Sequence, residues 1–250
     1  MSVTIKSEKE IEYMRDAGKI LAQVHEQLSE IIEPGITTME ITKKGEEFIR
    51  NAGAYPSFKG YEGYPEAICV SINDEVVHGI PCEEHRLFEG DIVSLDAGVE
   101  YKGYQSDAAR TYGVGKIDEE SERLIRVTRE SFFKGIEYAR AGNHLYDISR
   151  AIQKHAESQG FSIVRDLCGH GIGKVVHEEP AIPNFKPWFK RGIKLVPGMT
   201  LAIEPMVNAG TRKVWILDDD WTVITRDGKK SAHYENTILV TENDPEILSL

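Results

Sequence analysis

The sequence contains the same pattern of helix stops twice. Gly35 and Gly53 are 18 residues apart, and Gly142 and Gly160 are also 18 residues apart, 107 positions further along the chain. Each of these glycines follows a segment whose apolar residues recur at helical spacing. Because glycine just after such a segment is a helix stop signal, each pair brackets one helix and ends another. The repeat therefore predicts two similar halves, each built on a pair of helices.

The strand regions repeat with nearly the same offset. The turn Leu87–Gly90 is followed by Asp96, and the turn Leu195–Gly198 is followed by Glu204, 108 residues later. Chance similarity of turn glycines is the alternative, but it does not explain agreement at helix, strand and acidic positions together. The chain therefore favours two helix–helix–sheet halves related by a pseudo-two-fold axis.

Apolar spacing and turn residues predict the individual elements. The first helix follows a Ser7–Glu10 capping box and ends at Pro34-Gly35. The other three run from Thr37 or Thr38 to Gly53, from Glu119 to Ala141, and from Tyr146 to Gln159. The strands are Ile68–Ile72, Asp91–Asp96, Tyr104–Val114, Met199–Met206, Trp221–Thr225 and Ala232–Thr241. Because no low-complexity linker interrupts the chain, we expect a mixed α/β (α+β) fold in one domain, residues 1–250, with halves of about 1–116 and 117–250.

Charge and cysteine content narrow the class of protein. The chain has 30 Lys and Arg against 41 Asp and Glu, a net charge of −11 that disfavours DNA or an anionic membrane as a partner. Its three cysteines, Cys69, Cys82 and Cys168, have no CxxC spacing, which is typical of a reducing cytoplasm. With neither a signal peptide nor an apolar run of ~18 residues, the sequence predicts a soluble cytoplasmic protein.

Four acidic residues stand in otherwise apolar strand segments. They are Asp96, Asp107, Glu204 and Glu235, two in each half. A carboxylate in such a place is expensive to bury unless it is paired or bound to metal. A pseudo-two-fold axis would bring the four together, and two divalent cations would then supply a shared counter-charge and activate a water. His170, flanked by glycines, is the candidate nitrogen ligand.

These residues occur in motifs that resemble those of type I methionine aminopeptidases. The motifs are His78-Gly-Ile-Pro, Asp96 with Asp107, Gly-His170-Gly-Ile-Gly, His177-Glu-Glu-Pro, Ile-Glu204-Pro-Met and Tyr-Glu235-Asn-Thr. The resemblance runs from the first helix to the last strand. It implies the pita-bread fold, which the repeat predicts independently, and a catalytic domain that removes the initiator methionine from nascent chains when the second residue is small.

The same resemblance implies a role for each site residue. Asp96 and Asp107 bind one metal, His170 binds the other, and Glu204 and Glu235 complete and bridge the pair. The two divalent ions are Co, Mn, Fe or Zn, since carboxylates with one imidazole suit all four. Glu204 is also the general base and proton shuttle.

The substrate contacts follow from the resemblance as well. His78 and His177 would hydrogen-bond the substrate and stabilise the tetrahedral intermediate. The walls of the methionine pocket are Phe58, Tyr61, Tyr64, Cys69 and Trp221. Periodicity alone would assign these apolar side chains to the core, and that alternative stays open. Val176 takes a position that is aromatic in some relatives, which predicts a slightly wider pocket.

Two residues beside Glu235 depart from the family pattern. His233 stands where the family usually has Gln, and Asn236 where it usually has His. Both lie next to the ligand Glu235 and neither replaces a ligand, so we expect them to affect how strongly Glu235 binds metal and not whether it does. For His233 we expect an ordinary packed or surface histidine, with an extra contact to the site as the alternative.

Two other kinds of protein share part of this pattern. An Xaa-Pro peptidase would share the five ligands, but such enzymes carry a large additional N-terminal domain. A binding protein on this fold would have lost its metals, whereas here all five ligands are present. We expect a monomer acting on nascent polypeptide N-termini. A transient ribosome contact would use Arg212, Lys213, Arg226, Lys229 and Lys230, although acidic residues interrupt this run and favour an ordinary solvated loop.

Overall fold

The computed structural model describes residues 3–250, in which helices and short strands alternate. The helices are α1 Glu8–Glu30, α2 Thr38–Asn51, α3 Glu119–Ile136 and α4 Leu145–Ser158. The strands are β1 Tyr55–Pro56, β2 Ile68–Ile72, β3 Glu75–Val77, β4 Ile92–Tyr101, β5 Tyr104–Gly113, β6 Ser162–Ile163, β7 Cys168–Gly171, β8 Glu178–Pro183, β9 Thr200–Ile203, β10 Met206–Asn208, β11 Val214–Ile216, β12 Val223–Thr225, β13 Ser231–His233, β14 Asn236–Leu239 and β15 Glu246–Ile247. No helix formed by residues 3–250 is long and apolar enough to cross a membrane.

The second helix of each half confirms the repeat. Helices α2 and α4 both have 14 residues and begin with capping boxes, at Thr37 and His144. Each is followed by a glycine in the left-handed region, Gly53 at φ +77° and Gly160 at φ +84°. A side chain at this backbone conformation is strained, so glycine ends both helices for the same reason.

Each half has its own sheet and its own core. In the first half, β4 lies between β2 and β5, and helices α1 and α2 pack on this sheet through residues such as Leu21, Ile41 and Leu95. In the second half, the sheet order is β15-β14-β9-β7-β8, and α3 and α4 cover it. All pairs in both sheets are antiparallel. The predicted fold, two helix–helix–antiparallel-sheet halves, is confirmed.

A seam between β5 and the start of β14 joins the two halves. Ala109 and Glu235 exchange backbone hydrogen bonds there, with N···O distances of 3.4 and 2.9 Å. The side chain of Thr237 also accepts a hydrogen bond from the amide of Asp107 at 2.8 Å. The seam therefore carries acidic residues of both halves at its centre.

The predicted end of the third helix was wrong. Helix α3 ends at Ile136, five residues before the expected Ala141. The next amides bond to carbonyls only three residues back, which tightens the chain into a turn. Ala141 then donates to the carbonyl of Thr241 instead of continuing the helix. The helical spacing could not show this competition, because the partner is 100 residues away.

Several strand boundaries were also wrong. The segment predicted as Met199–Met206 splits into β9 and β10, and the segment predicted as Ala232–Thr241 splits into β13 and β14. The first break falls at Glu204-Pro205, where proline has no amide hydrogen to donate. At the second, Glu235 bonds to Ala109 across the seam. The chain changes sheets at both breaks, since β9 pairs with β14 whereas β10 pairs with β13.

Two further boundaries differ by a few residues. Strand β4 continues past Asp96 to Tyr101, because β5 pairs with it along its whole length. Strand β12 begins at Val223, two residues after the predicted start at Trp221. Asp219 holds the intervening turn through the amides of Trp221 and Thr222, which keeps this stretch out of the strand.

The packing of α1 against the C-terminal segment can be tested at Gly18. A Cβ atom at Gly18 would lie 2.0 Å from the carbonyl oxygen of Leu248, whereas a Cβ at Gly45 would meet a movable side-chain atom of Ile68 at 2.5 Å. Alanine is the better helix former at both positions by about 1 kcal/mol, so the difference between the variants reports the contact. We expect Gly18→Ala to lower the free energy of unfolding by about 1–3 kcal/mol relative to Gly45→Ala. Urea denaturation measures both, and equal midpoints would contradict the rigid contact.

Candidate metal centre

One pocket collects all the side chains that the sequence singled out for catalysis, metal binding and substrate binding. Its walls come from both halves of the molecule. The lining residues are Phe58, Tyr61, Tyr64, Cys69, His78, Asp96, Asp107, His170, His177, Glu204, Trp221 and Glu235. The side chains separate into an ionisable group at the seam and an apolar group beside it.

The two aspartates share a face of the first sheet because of the register of one hairpin. Asp96 on β4 lies opposite Ala109 on β5, and Asp107 lies opposite Gly98. Asp107 and Ala109 are two positions apart, so their side chains point to the same face. Asp96 and Asp107 are therefore diagonal neighbours, close enough to contribute to one site.

The second half supplies the remaining predicted ligands. His170 on β7 lies opposite Ala202 on β9, two residues before Glu204. Its Nε2 atom is 3.6 Å from Glu204 Oε1 and 3.8 Å from Asp107 Oδ2. Its Nδ1 atom lies 2.9 Å from the carbonyl of Gly171, and a carbonyl can only accept. Nδ1 therefore carries the proton, and the lone pair of Nε2 faces the carboxylates.

Burial and mutual repulsion disfavour negative charge on these acids. Burial raises the pKa of Asp96 to about 7. Burial together with the charge of Glu235 raises the pKa of Asp107. Burial and the neighbouring carboxylates likewise raise the pKa values of Glu204 and Glu235. Such a cluster becomes favourable in its ionised form only when positive charge lies among the carboxylates.

The unpartnered atoms of the cluster fit divalent metal ions. Asp96 Oδ1, Asp107 Oδ1 and Glu235 Oε1 are buried and have no hydrogen-bond partner among residues 3–250. Most buried polar atoms in proteins have one, so three such oxygens together need an explanation. Asp107, His170 and Glu235 offer ligand atoms that all lie within 4.8 Å of one another. Carboxylate oxygens with an imidazole nitrogen are a donor set for first-row divalent metals.

The two residues that depart from the family pattern have different surroundings. The His233 side chain is 2% exposed, and its Nε2 atom is 3.7 Å from Glu235 Oε2 and 3.9 Å from Glu204 Oε2. Burial lowers its pKa to about 3, which keeps the ring neutral. Asn236 instead accepts hydrogen bonds from Arg110 at 2.6 Å and from Ser249 at 3.1 Å. His233 is thus packed, as expected, but packed against the acids.

Some supporting residues were missed by the sequence reasoning. The Arg110 guanidinium donates to the backbone carbonyl of Glu235 and to the side chain of Asn236. Thr237 Oγ1 donates to the carbonyl of Asp107 at 3.0 Å. These bonds fix the backbone on both sides of the seam. Arg110 could have been recognised from the sequence, because it lies in the mostly buried strand β5 and a buried guanidinium needs hydrogen-bond partners.

The two histidines assigned to substrate contact lie beside the acids. His78 follows β3 in the left-handed region, at φ +60°, which is unusual for a residue with a side chain and common at functional sites. Burial, and then the charge of His177, lower its pKa to about 4. The exposed His177 places its Nδ1 atom 3.0 Å from the hydroxyl oxygen of Tyr61.

The loop that carries His177 is tied to the N-terminal segment. Glu178 follows His177 directly and forms an ion pair with Lys6, with an N···O distance of 2.6 Å. The same carboxylate accepts a hydrogen bond from the amide of Lys174 at 2.9 Å. Lys6 is almost fully buried, and nothing in its local sequence indicated this role.

The apolar side of the pocket is a small cluster separate from the two main cores. Its buried members are Phe58, Tyr64, Cys69 and Val176, with Tyr61, Ile80 and Trp221 packed against them. The Tyr64 and Trp221 rings meet edge to face, with centroids 5.2 Å apart. The Tyr64 hydroxyl donates to the carbonyl of Gly79 at 2.8 Å and so ties this cluster to the turn that carries His78. Ile80 was not among the residues predicted for the wall of this pocket.

Comparison with known proteins agrees with this geometry. Residues 12–242 match metallopeptidase family M24. A relative named methionine aminopeptidase, from Clostridium perfringens, is 57% identical over 249 residues, which cover 99% of each chain. The match therefore extends over both halves and over every element that carries a site residue.

Solved structures show the same relationship. A crystal structure of methionine aminopeptidase from Thermotoga maritima is similar at a TM-score of 0.96 and 46% identity, covering 99% of both chains. An Xaa-Pro dipeptidase from Bacillus anthracis is similar at a TM-score of 0.78 and 26% identity, and the match covers 98% of this chain but 61% of the dipeptidase. On its sequence and its fold, the chain belongs to metallopeptidase family M24.

Proposed function

We propose that this protein is a methionine aminopeptidase that removes the initiator methionine from nascent proteins and peptides when the second residue is small. The observation that carries the proposal is the pocket, in which a buried acidic cluster adjoins a compact apolar cluster. For hydrolysis of the first peptide bond, the acidic cluster would serve the reaction and the apolar cluster would bind the methionine side chain. The names of the similar proteins support the same activity.

The acidic cluster would hold two divalent ions. Asp96 and Asp107 would bind one, His170 would bind the other, and Glu204 and Glu235 would complete and bridge the pair. When bound, the metals supply Lewis acidity and lower the pKa of water. Their identity, among Co, Mn, Fe and Zn, depends on supply as well as on the donor atoms.

Glu204 is placed to move the proton. Its carboxylate is half-buried beside His170 and lies at the break between β9 and β10, where it faces the pocket. With metal ions bound in the cluster, the ionised carboxylate could accept a proton from the attacking water and return it to the leaving amine. Glu204 would thus first accept the proton from water and then donate it to the leaving amine.

His78 and His177 would bind the scissile peptide group. Neutral imidazole has one N–H donor, and a donor aimed at the carbonyl oxygen stabilises the negative charge that develops there. The hydroxyl of Tyr61 lies 3.0 Å from His177 Nδ1 and orients that ring. Phe58, Tyr64, Cys69 and Trp221 then offer an apolar slot that suits the flexible, polarizable methionine side chain.

The rest of the substrate would leave through a second, wider cavity. This cavity, about 340 Å³, shares His78, His170, His177 and Glu204 with the first. Its outer wall includes Cys168, Glu179 and Ala181, all exposed to solvent. Because the junction between the cavities is crowded by the site residues, the second side chain of the substrate would meet a rigid rim.

The finer partner and location assignments are part of the proposal. We expect a monomeric, cytoplasmic enzyme that meets nascent chains, with transient ribosome contact as one route. Of the basic residues suggested for that contact, Lys230 pairs with Asp118 at 3.3 Å, and the Arg226 guanidinium stacks 4.7 Å from the ring centre of Trp215. These contacts favour the alternative of an ordinary solvated loop.

The metal requirement is tested by Asp107→Asn. The substitution keeps the shape of the side chain but removes a charged ligand, so we expect metal content and activity to fall while the fold is retained. Mn²⁺ added to the chelated native protein should raise its stability, by about 2.7 kcal/mol at 100 times Kd. The variant should lose this gain, whereas Asp16→Asn, at a surface ion pair with Lys102, should keep it. Full activity of a verified metal-free preparation would reject the proposal.

The role of His177 is tested by alanine substitution. Loss of a donor to the developing oxyanion typically lowers kcat by about 10²–10³, and we expect this for His177→Ala. Bound metal, measured by elemental analysis, should stay normal because His177 is not a proposed ligand. His155→Ala is the control, since His155 pairs with Glu130 outside the pocket. A loss of metal in parallel with the loss of rate would assign His177 to the metal centre.

Specificity is tested with a series of Met-X peptides. We expect efficient release of methionine from Met-Ala, Met-Gly and Met-Ser, and kcat/KM lower by about 10²-fold or more for Met-Lys and Met-Leu, because a rigid rim excludes bulk. Equal rates with glycine and leucine at the second position would indicate a broader aminopeptidase. Preference for proline there, with any first residue, would indicate an Xaa-Pro enzyme.

A further inference from the structure

His233 is a buried histidine whose ring has no hydrogen-bond partner in the described part of the chain. Its backbone is fully engaged, because the amide donates to Thr111 Oγ1 at 2.9 Å and the carbonyl accepts from the same hydroxyl at 2.8 Å. The side chain is 2% exposed, yet neither Nδ1 nor Nε2 forms a hydrogen bond with any of residues 3–250. Buried polar atoms are rarely left without a partner, so the ring is available to a further ligand.

The distances from the ring to its neighbours match shared coordination better than hydrogen bonding. His233 Nε2 is 3.7 Å from Glu235 Oε2 and 3.9 Å from Glu204 Oε2. Both exceed the range of about 2.7–3.2 Å for a hydrogen bond from nitrogen to oxygen. Two donor atoms bound to one ion at about 2.0–2.2 Å each can be separated by up to about 4.4 Å. Moreover, Asp96, His233 and Glu235 offer ligand atoms within 4.8 Å of one another.

We propose that His233 is a sixth protein ligand of the metal centre and binds the ion held by Asp96. This inference rests on the proposed function, because it assumes the dinuclear site. The usual residue at this position in the resembled family is glutamine, so the ligand is a feature of this chain's own sequence. Each ion then has one imidazole, His170 on one side of the site and His233 on the other.

A second imidazole changes which metal the site prefers. Nitrogen donors favour Co²⁺ and Zn²⁺ over Mn²⁺ more strongly than carboxylates alone do. A site with Asp96, Asp107 and Glu235 alone would be an oxygen site with little discrimination. With His233 added, the second ion should be bound more tightly, and the gain should be larger for Zn²⁺ than for Mn²⁺.

Metal titration of the full-length protein tests this preference. Chelator-treated protein is titrated with ZnCl₂ and with MnCl₂ by calorimetry, for the native chain, His233→Gln and the control His155→Gln. We expect His233→Gln to weaken binding of the second Zn²⁺ by about 10-fold or more, and of Mn²⁺ by less. His155→Gln should match the native protein, because His155 lies at a surface ion pair. A second Zn²⁺ Kd within about twofold of native in His233→Gln would overturn the proposal.

Nitrogen NMR of ¹⁵N-histidine protein gives a readout independent of catalysis. The chain has eight histidines, and zinc loading should move ring nitrogens of two of them to the position of metal-bound imidazole. One of the two signals should be lost in His233→Gln and the other in His170→Gln. A single zinc-bound imidazole in the native protein would reject the proposal even if His233→Gln failed to fold.

The two proposals fail in different ways. If native protein with two imidazole-bound ions does not cleave Met-Ala peptides, the proposed function is wrong and the ligand assignment stands. If the enzyme cleaves them while His233→Gln leaves the spectrum and both affinities unchanged, the ligand assignment alone is wrong.

Discussion

Four carboxylates in one pocket, three of them buried and Glu204 half-buried, are the constraint around which this molecule is arranged. Asp96, Asp107, Glu204 and Glu235 repel one another, and burial raises the pKa of each. No strand would keep such residues inward for the sake of stability, since apolar side chains of similar volume would pack there at lower cost. The hairpin register, the two strand breaks and the seam between the halves all serve to bring these acids together. The stability of the fold comes mainly from the two helix-covered cores, which contain none of the four acids.

The cores stabilise the fold and the seam holds the acids, and this difference explains which structural features could be predicted from the sequence. The repeated glycines predicted α2 and α4 to within a residue or two, because helix ends depend on local backbone geometry. The acidic site residues could be predicted because a charged residue is unusual in an otherwise apolar strand. The two-fold relation predicted that the acids meet, whereas the substrate-contact residues were assigned from the resemblance in motifs. All the residues assigned to catalysis, metal binding and substrate binding line the pocket.

The parts that could not be read depend on contacts distant in sequence. The early end of α3 and the strand break at Glu235 arise where the backbone bonds to another part of the chain. The same holds for Arg110 and for Lys6, whose partners are more than 100 residues away. His233 is the most instructive case. Base rates for histidine favoured an inert packed side chain, and only the positions of Glu204 and Glu235 show what that packing faces.

The seam has a mechanical consequence for the metal-loaded protein. Asp96 and Asp107 belong to the first half, and His170, Glu204 and Glu235 belong to the second, so any ion bound among them is held from both sides. An ion in this position cross-links the two halves, since they cannot separate unless the ion loses its ligands from one of them. The backbone bonds between Ala109 and Glu235 would then open far less often than similar bonds at a free sheet edge. Rigidity of the catalytic cleft would thus depend on the same ions that serve its chemistry.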